Sequence, residues 1–197
     1  MKHTASIPSP SLLKLVLDAK VGTITPACIL TAKRNFLVAV GGGGIGSPSS
    51  GPGATALRTD ATSPNQWEVF TLIPKDTTHA ALQTADGRHY VTAVKGGGMG
   101  PSPTGSLPLP IVTNGQFSEP ETVFHIVLLA RDKQKGFAKV RLVTPDVKHY
   151  VVAANGGGVN SRGDPMRTDA TKPGIDELFE MIFFNLLSRT VHGPPNT

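Results

Sequence analysis

Two copies of an Arg-Thr-Asp tripeptide carry the side chains best suited to hydrogen-bond a polar ligand. They are Arg58-Thr59-Asp60 and Arg167-Thr168-Asp169, and Asn114 occupies the matching place in a third, partial copy. Asp and Asn oxygens accept hydrogen bonds from sugar hydroxyls, and the arginine guanidinium donates them. Asp and Asn also stabilise turns. These residues therefore predict either glycan contacts or turn-stabilising carboxylates with an exposed arginine beside them.

The only tryptophan, Trp67, predicts a second kind of contact. An indole ring can stack against a sugar ring, because aromatic residues with a polar tip suit half-exposed sites. Ordinary packing at the rim of the fold is the alternative. Charged residues, Glu121 and Asp176, occupy the matching positions elsewhere in the chain. They indicate an exposed position for Trp67.

Three more polar residues, His89, His149 and Asn35, each stand directly before an aromatic residue. Their side chains can hydrogen-bond a ligand. They can equally be solvent-facing residues of turns. Asn155 stands before a run of three glycines and is another candidate for ligand contact.

Glycine-rich segments recur three times, and the first, 41–46, formally fits the dinucleotide fingerprint Gly-x-Gly-x-x-Gly. That motif requires a following helix to hold the pyrophosphate. The residues that follow, 47–52, read Ser-Pro-Ser-Ser-Gly-Pro and do not favour a helix. We therefore predict tight turns in which glycine supplies positive φ. Their bare backbone also allows close approach of a sugar or an anion.

No catalytic motif accompanies these residues. The sequence has no Gly-x-Ser-x-Gly elbow and no phosphate-binding Gly-Lys-Ser/Thr motif. The six histidines, at positions 3, 79, 89, 125, 149 and 192, are too scattered to predict a structural zinc site. The single cysteine, Cys28, excludes an intramolecular disulfide and is expected to be a buried strand residue. We expect a protein that is not an enzyme and needs no cofactor or metal.

The composition indicates a globular and moderately basic chain. Its 197 residues include 19 Lys and Arg against 14 Asp and Glu, which gives a net charge of +5. The basic residues are dispersed apart from a run at Arg131–Lys135, and they suit anionic glycans or an acidic protein such as actin. Nucleic acid is not an expected partner, because no aromatic residues are interleaved with them.

The amino-terminal apolar residues do not predict a signal peptide. Lys14 interrupts the run between Leu12 and Leu17, and Asp18 and Lys20 follow it. No apolar run approaches the ~18 residues that a membrane-spanning helix needs. We expect a cytoplasmic location, or export without a recognisable signal peptide.

Three copies of one set of markers divide the chain. The first marker is an aromatic residue, a short apolar stretch and a glycine run, in segments 36–44, 90–98 and 150–158. The second is a phenylalanine in a short apolar segment, and its three copies are Phe70, Phe124 and Phe179. The third marker lies between the two and reads Arg-Thr-Asp in the first and last copies and Val112-Thr113-Asn114 in the middle copy. Self-similarity in a fixed order predicts three repeats of roughly 50 residues.

Each repeat predicts four short strands. The first strands are expected at 27–31, 80–84 and 139–143, followed by polar turns such as Asp86-Gly87-Arg88, whose Asp-Gly pair is typical of hairpins. The second strand begins at the aromatic residue, the third leads to Thr-Asp or Thr-Asn, and the fourth carries the phenylalanine. Twelve short strands in three pseudo-symmetric units predict an all-β protein with a β-trefoil fold.

The same markers predict the core. Aromatic residues at matching places are expected to form two layers around the threefold axis, with a small alanine beside them. These residues are Phe36, Tyr90 and Tyr150, then Phe70, Phe124 and Phe179, and the alanines are Ala39, Ala93 and Ala153. The segment 176–187 has a helix-like amphipathic pattern of its own. We predict a strand from Leu178 to Phe184, because tertiary context overrides local propensity.

The repeat pattern resembles the fascin-like β-trefoil family. The closest matches are Tyr90-Val-Thr-Ala93 and Trp67-Glu-Val-Phe70, and the resemblance covers residues 20–185. It implies a β-trefoil, and single trefoils of this kind are often carbohydrate-binding modules or lectins. Fascins bundle actin with four such domains, and this chain has one. The Gln-x-Trp repeat of ricin-type lectins is absent.

We therefore predict a non-enzymatic, lectin-like module with up to three repeat-related loop sites. Multiple sites would bind multivalent glycans with avidity, and a homo-oligomer would add to it. The candidate glycan-binding residues are Arg58, Asp60, Trp67, His89, Asn114, His149, Asn155, Arg167 and Asp169. One alternative is a trefoil that binds actin or another protein through basic loops. The other is a protease inhibitor that uses the proline-rich loop 100–110, which proline would stiffen.

Boundaries follow from the repeats. We expect an amino-terminal extension over 1–19, a single trefoil over 20–188 with repeats at 20–74, 75–130 and 135–188, and a tail over 189–197. The tripeptide Arg162-Gly163-Asp164 matches an integrin-binding sequence, but three residues carry little information.

Overall fold

The computed structural model describes residues 25–46, 55–101, 109–132, 135–160 and 165–184. Within these ranges twelve strands are joined by turns and short 3₁₀ segments, so the all-β prediction is confirmed. No helix in the same ranges is long and apolar enough to cross a lipid bilayer. In chain order the strands are β1 Thr25–Thr31, β2 Phe36–Ala39, β3 Leu57–Ala61, β4 Val69–Pro74, β5 His79–Gln83, β6 Tyr90–Ala93, β7 Ile111–Gly115, β8 Val123–Asp132, β9 Phe137–Val143, β10 Tyr150–Ala153, β11 Met166–Ala170 and β12 Phe179–Phe183.

Six of the strands close a barrel. β1 pairs with β4 and β12, β5 pairs with β4 and β8, and β9 pairs with β8 and β12, all antiparallel. Along β4, buried Phe70 and Leu72 alternate with half-buried residues, as expected for a strand with one face toward a core. Closure of the ring removes free strand edges from the barrel.

The other six strands form three hairpins, β2–β3, β6–β7 and β10–β11. The strand pairing is equivalent in the three hairpins. In each one the first pair joins an aromatic residue to a small residue, and the pairing register shifts directly after it. The first pairs are Phe36 with Ala61, Tyr90 with Gly115, and Tyr150 with Ala170. The hairpins therefore present three similar loops.

One predicted core layer is confirmed. Phe70, Phe124 and Phe179 have no solvent exposure and belong to one apolar cluster. Burial of each such side chain contributes about 1.5–3 kcal/mol to folding. Ala39, Ala93 and Ala153 are also fully buried in that cluster.

The other predicted layer is wrong. Phe36 and Tyr150 are only half-buried, Tyr90 keeps 8% exposure, and none of them belongs to the central cluster. Each opens its strand directly after an exposed turn, and side chains alternate along a strand. The next residue along therefore faces the core in each case, and these residues are Leu37, Val91 and Val151.

The strand predicted near the carboxyl end is confirmed. β12 pairs with both β1 and β9, and Phe179, Met181 and Phe183 are buried in alternation. Barrel pairing thus overrides the helix-like local pattern. Residues 185–187 of that pattern lie outside the described residues.

Candidate binding loops

Three glycine-rich loops follow β2, β6 and β10: loop 1 (41–46), loop 2 (95–100) and loop 3 (155–160). In loop 1, four consecutive glycines have φ of 65, 84, 126 and 80°. Lys95 and Asn155 take the first of these positions in loops 2 and 3, at 57 and 55°. The left-handed region costs a residue with a side chain about 1–2 kcal/mol. The prediction of tight turns built on positive φ is confirmed.

The third glycine of the run is required by close packing as well as by φ. A Cβ on Gly43 would lie 2.7 Å from the Cβ of Thr84, closer than real Cβ atoms approach. A Cβ on the equivalent glycine, Gly97 in loop 2 or Gly157 in loop 3, would also lie 2.7 Å from the Cβ of a threonine. A bare backbone is therefore needed where each loop meets its neighbour.

Each loop docks on the following repeat. Loop 1 extends from β2, yet the Gly44 amide donates to the Thr113 carbonyl at 2.7 Å, and the Thr113 amide donates to the Ile45 carbonyl at 2.8 Å. The Asp86 amide also donates to the Gly42 carbonyl at 3.0 Å. Loop 1 thus joins β7 to the β5–β6 turn.

The same bonds recur around the ring, since loop 2 docks on the third repeat and loop 3 on the first. In each loop a glycine amide donates to the carbonyl of a buried strand threonine, and an amide of a hairpin turn donates to a loop glycine carbonyl. In loop 2 the Gly98 amide donates to the Thr168 carbonyl at 2.8 Å, and the Asp146 amide donates to the Gly96 carbonyl at 3.0 Å. In loop 3 the Gly158 amide donates to the Thr59 carbonyl at 2.7 Å, and the Lys33 amide donates to the Gly156 carbonyl at 2.9 Å.

Asp86 organises the turn beneath loop 1. Its carboxylate accepts hydrogen bonds from the Thr84 hydroxyl at 2.9 Å and from His89 Nδ1 at 2.5 Å. Burial raises the pKa of Asp86, but bonds from the His89 ring, from backbone amides and from Thr84 hold it well below its usual range. Asp146 pairs with His149 Nδ1 at 2.5 Å, and similar bonds lower its pKa. Both histidines are half-buried, so neither is a simple solvent-facing turn residue.

Three predicted site residues converge on loop 1. The Trp67 indole lies 3.6 Å from the Cβ position of Gly42, and the His89 ring lies 3.2 Å from that of Gly44. The Asn114 side chain occupies the space beside Gly46. Trp67 is 40% exposed, which confirms the exposure that its charged counterparts indicated. Loop 1 is therefore flanked by an exposed aromatic ring, an imidazole and an amide, each against a different glycine.

Loop 2 gathers three other candidates. The His149 ring approaches the Cβ position of Gly98 to 3.0 Å, and Asp169 Oδ2 approaches that of Gly100 to 3.0 Å. Arg167 lies beside Asp169, with Nε 4.0 Å from Oδ1. This group is polar and charged.

The remaining candidate residues lie at loop 3. Asn155 is exposed at its first position, and Arg58 and Asp60 flank Thr59, whose carbonyl holds Gly158. Arg58 Nε lies 3.5 Å from Asp60 Oδ1, and neither atom has a hydrogen-bond partner within the described part of the chain.

The turn interpretation of the tripeptides is wrong. Asp60, Asn114 and Asp169 lie within β3, β7 and β11. These strands extend through the tripeptides because pairing with the neighbouring strand continues to the next residue. Strand alternation then buries the central threonine completely and directs Arg and Asp outward.

Sequence reasoning missed a groove of about 330 Å³ on the side of the barrel. His79 on β5 and His125 on β8 are directly opposed across the sheet, with ring centres 5.0 Å apart. Only the pairing of β5 with β8 could have signalled this juxtaposition of distant residues. The groove is lined by His79, Pro120, Val123, His125, Thr144, Pro145 and Val147.

The structure also bears on Cys28, on metal binding and on two loop motifs. Cys28 is buried, as predicted, and burial raises its thiol pKa to about 11. Across the described ranges, no cluster of three or more His, Cys, Asp or Glu is arranged to hold a metal ion. Arg162-Gly163-Asp164 and residues 102–108 of the proline-rich loop lie outside the described residues.

Comparison with known sequences gives no assignment. No protein-family model matches the chain. No curated protein matches it significantly either. Membership of the fascin-like family therefore stays a prediction.

Comparison with solved structures does give the fold. The designed threefold-symmetric protein ThreeFoil matches with a TM-score of 0.55 at 9% identity, covering 80% of this chain and 97% of that one. The SDF2-like protein from Arabidopsis thaliana matches with a TM-score of 0.55 at 11% identity, covering 83% and 94%. The BEL β-trefoil matches with a TM-score of 0.51 at 9% identity, covering 81% and 93%. At these identities the likeness concerns the fold, and that fold is the β-trefoil.

Proposed function

We propose that this protein is a non-enzymatic carbohydrate-binding module of lectin type, with its principal site at loop 1. The observation that carries this proposal is the convergence of Trp67, His89 and Asn114 on one exposed loop. An aromatic surface beside directional hydrogen-bonding groups matches the two faces of a sugar, one of C–H groups and one of hydroxyls.

The side chains at loop 1 have complementary tasks. The Trp67 indole supplies the apolar surface. His89 is oriented by Asp86 through Nδ1, so Nε2 is the ring nitrogen left for a ligand. The Asn114 amide offers both a donor and an acceptor. Gly41 and Gly44 are exposed, so a ligand can approach the backbone closely.

Loops 2 and 3 supply weaker and more polar sites in this proposal. They use the candidates Asn155, His149 and the two Arg–Asp pairs, and acidic residues replace Trp67 in both repeats. The predicted repeats over 20–74, 75–130 and 135–188 are the units that carry one loop each. A multivalent glycan would then bind more tightly than a single sugar.

A glycan array tests the proposal, followed by titration of the best ligand into Trp67→Ala. Phe117→Ala is the matched control, since Phe117 is also an exposed aromatic residue, at 43%, but lies against Lys75 and Tyr90. We expect binding that survives moderate salt and is weakened at least tenfold only in Trp67→Ala. An array without hits, or equal loss in both variants, contradicts the proposal.

The two alternatives give different results in parallel assays. Binding to actin through basic residues would be sensitive to salt and indifferent to Trp67→Ala. Protease inhibition would depend on Leu107 or Leu109 in the proline-rich loop.

A further inference from the structure

We propose that the barrel-side groove is a metal site in which His79 and His125 bind one late first-row divalent cation, such as Zn²⁺, through their imidazoles. The two residues are a cross-strand pair on β5 and β8 and line the same groove. Nothing in the proposed glycan function uses this groove.

The spacing of the rings suits a shared cation. Zn–N bonds to imidazole are about 2.0–2.1 Å, so two rings bound through Nε2 at a tetrahedral angle hold their centres about 5 Å apart. The observed separation of the ring centres is 5.0 Å, with the rings tilted by 34°. The strand pairing fixes this separation without any movement of the backbone.

Asp76 orients the first ligand. Its carboxylate accepts from His79 Nδ1 at 2.8 Å and also from the Thr78 and His79 amides at 2.7 and 2.8 Å. A carboxylate on one ring nitrogen leaves the other with its lone pair for a metal, which is the usual outer support of a metal-bound histidine.

His125 is the second ligand. It lies directly opposite His79 in the pairing of β5 with β8 and lines the same groove. A neutral imidazole keeps the lone pair that a cation requires. Imidazole ligands favour Zn²⁺, Cu²⁺ and Ni²⁺ over Mg²⁺ and Ca²⁺.

The rest of the groove limits the coordination to two protein ligands. Pro120, Val123, Pro145 and Val147 supply apolar walls, so water or a polar group of a bound ligand completes the coordination. The groove volume of about 330 Å³ leaves space for these added ligands.

Calorimetric titration of Zn²⁺ into the full chain tests the site. His3→Gln and His192→Gln form the background, which removes the histidines that lie outside the described residues. We expect one Zn²⁺ per chain, with affinity at least tenfold lower in His79→Gln or His125→Gln and about tenfold lower in Asp76→Asn. His149→Gln is the matched control and should leave Zn²⁺ affinity unchanged, because His149 has an aspartate partner of its own, Asp146, but no imidazole neighbour within the described ranges.

Imidazole nitrogen NMR gives a second readout that does not depend on the variants folding. On the unsubstituted protein, Zn²⁺ should shift the Nε2 signals of His79 and His125 together. Absence of Zn²⁺ binding, binding unaffected by His125→Gln, or shifts confined to other histidines would overturn the proposal.

Discussion

Loop 1 and loop 2 share a backbone and differ in the side chains around it. Both have four successive positive φ values, and both receive equivalent hydrogen bonds from the next repeat at 2.7–3.0 Å. Loop 1 faces Trp67 and Asn114, whereas Asp169 faces loop 2 and Glu121 takes the tryptophan position. The glycines common to both loops bond one repeat to the next. Ligand selectivity should therefore depend on the side chains that differ between the loops.

The largest expected loss of stability comes from substituting a glycine in the backbone that the loops share. Gly43→Ala and Gly97→Ala should each lower the free energy of unfolding by about 3 kcal/mol, because both place a Cβ against a threonine at a φ near 130°. Urea unfolding measures this loss. Unequal losses in the two variants would show that the loops are less equivalent than their hydrogen bonds indicate.

The next effect separates the loops by function. Trp67→Ala should weaken glycan affinity at least tenfold, which is about 1.4 kcal/mol or more, through loss of stacking. Adding Glu121→Trp to Trp67→Ala should restore part of that affinity if the tryptophan position is the main difference between loops 1 and 2. Titration with the glycan identified on the array measures both changes. An unchanged affinity in Trp67→Ala would contradict the assignment of the site.

A smaller effect is the pH dependence that the two aspartates beneath the loops confer. The pKa values of Asp86 and Asp146 are lowered in the folded protein, so their stabilising contribution is complete above the unfolded pKa of about 3.9 and is lost as pH falls below it. Asp86→Asn and Asp146→Asn should each reduce the decline in stability between about pH 4 and pH 2. Thermal melts across that range measure it, with Asn35→Ala in the acid-free first turn as control. A decline as steep as that of the unsubstituted protein would refute the role of these hydrogen bonds.

The smallest effect is expected at the first loop position. Gly41→Asn should change the free energy of unfolding by less than about 0.5 kcal/mol, because the Cβ meets open space and Asn tolerates this φ. Asn155 already occupies the equivalent position in loop 3. A loss approaching that of Gly43→Ala would mean that positive φ alone, and not the threonine contact, sets the cost.

Much of the fold could be predicted because the repeats report on tertiary structure. Three matching phenylalanines identified a core layer, and the same register identified β12 despite its helix-like pattern. The prediction for Phe36, Tyr90 and Tyr150 is wrong because a repeat shows that positions are equivalent but does not show how deeply they are buried. Tyr90 occupies the rim, and its neighbour Val91 fills the core.

The candidate site was only partly predictable. Trp67, His89 and Asn114 were each singled out, but their convergence depends on a loop that docks on the following repeat. His79 and His125 are 46 residues apart in the sequence, and their proximity arises from one long-range strand pair. Local patterns identify residue types, and distant pairing decides which of them meet.

The docking of each loop on its successor also has a consequence for the order of folding. The first hairpin is completed by residues about a hundred positions later, since Val159 and Gly158 bond to Thr59. During synthesis, the first hairpin therefore gains these bonds only after loop 3 has left the ribosome. Contacts this distant in sequence slow folding. A nascent chain arrested before residue 160 should remain sensitive to proteases throughout its length.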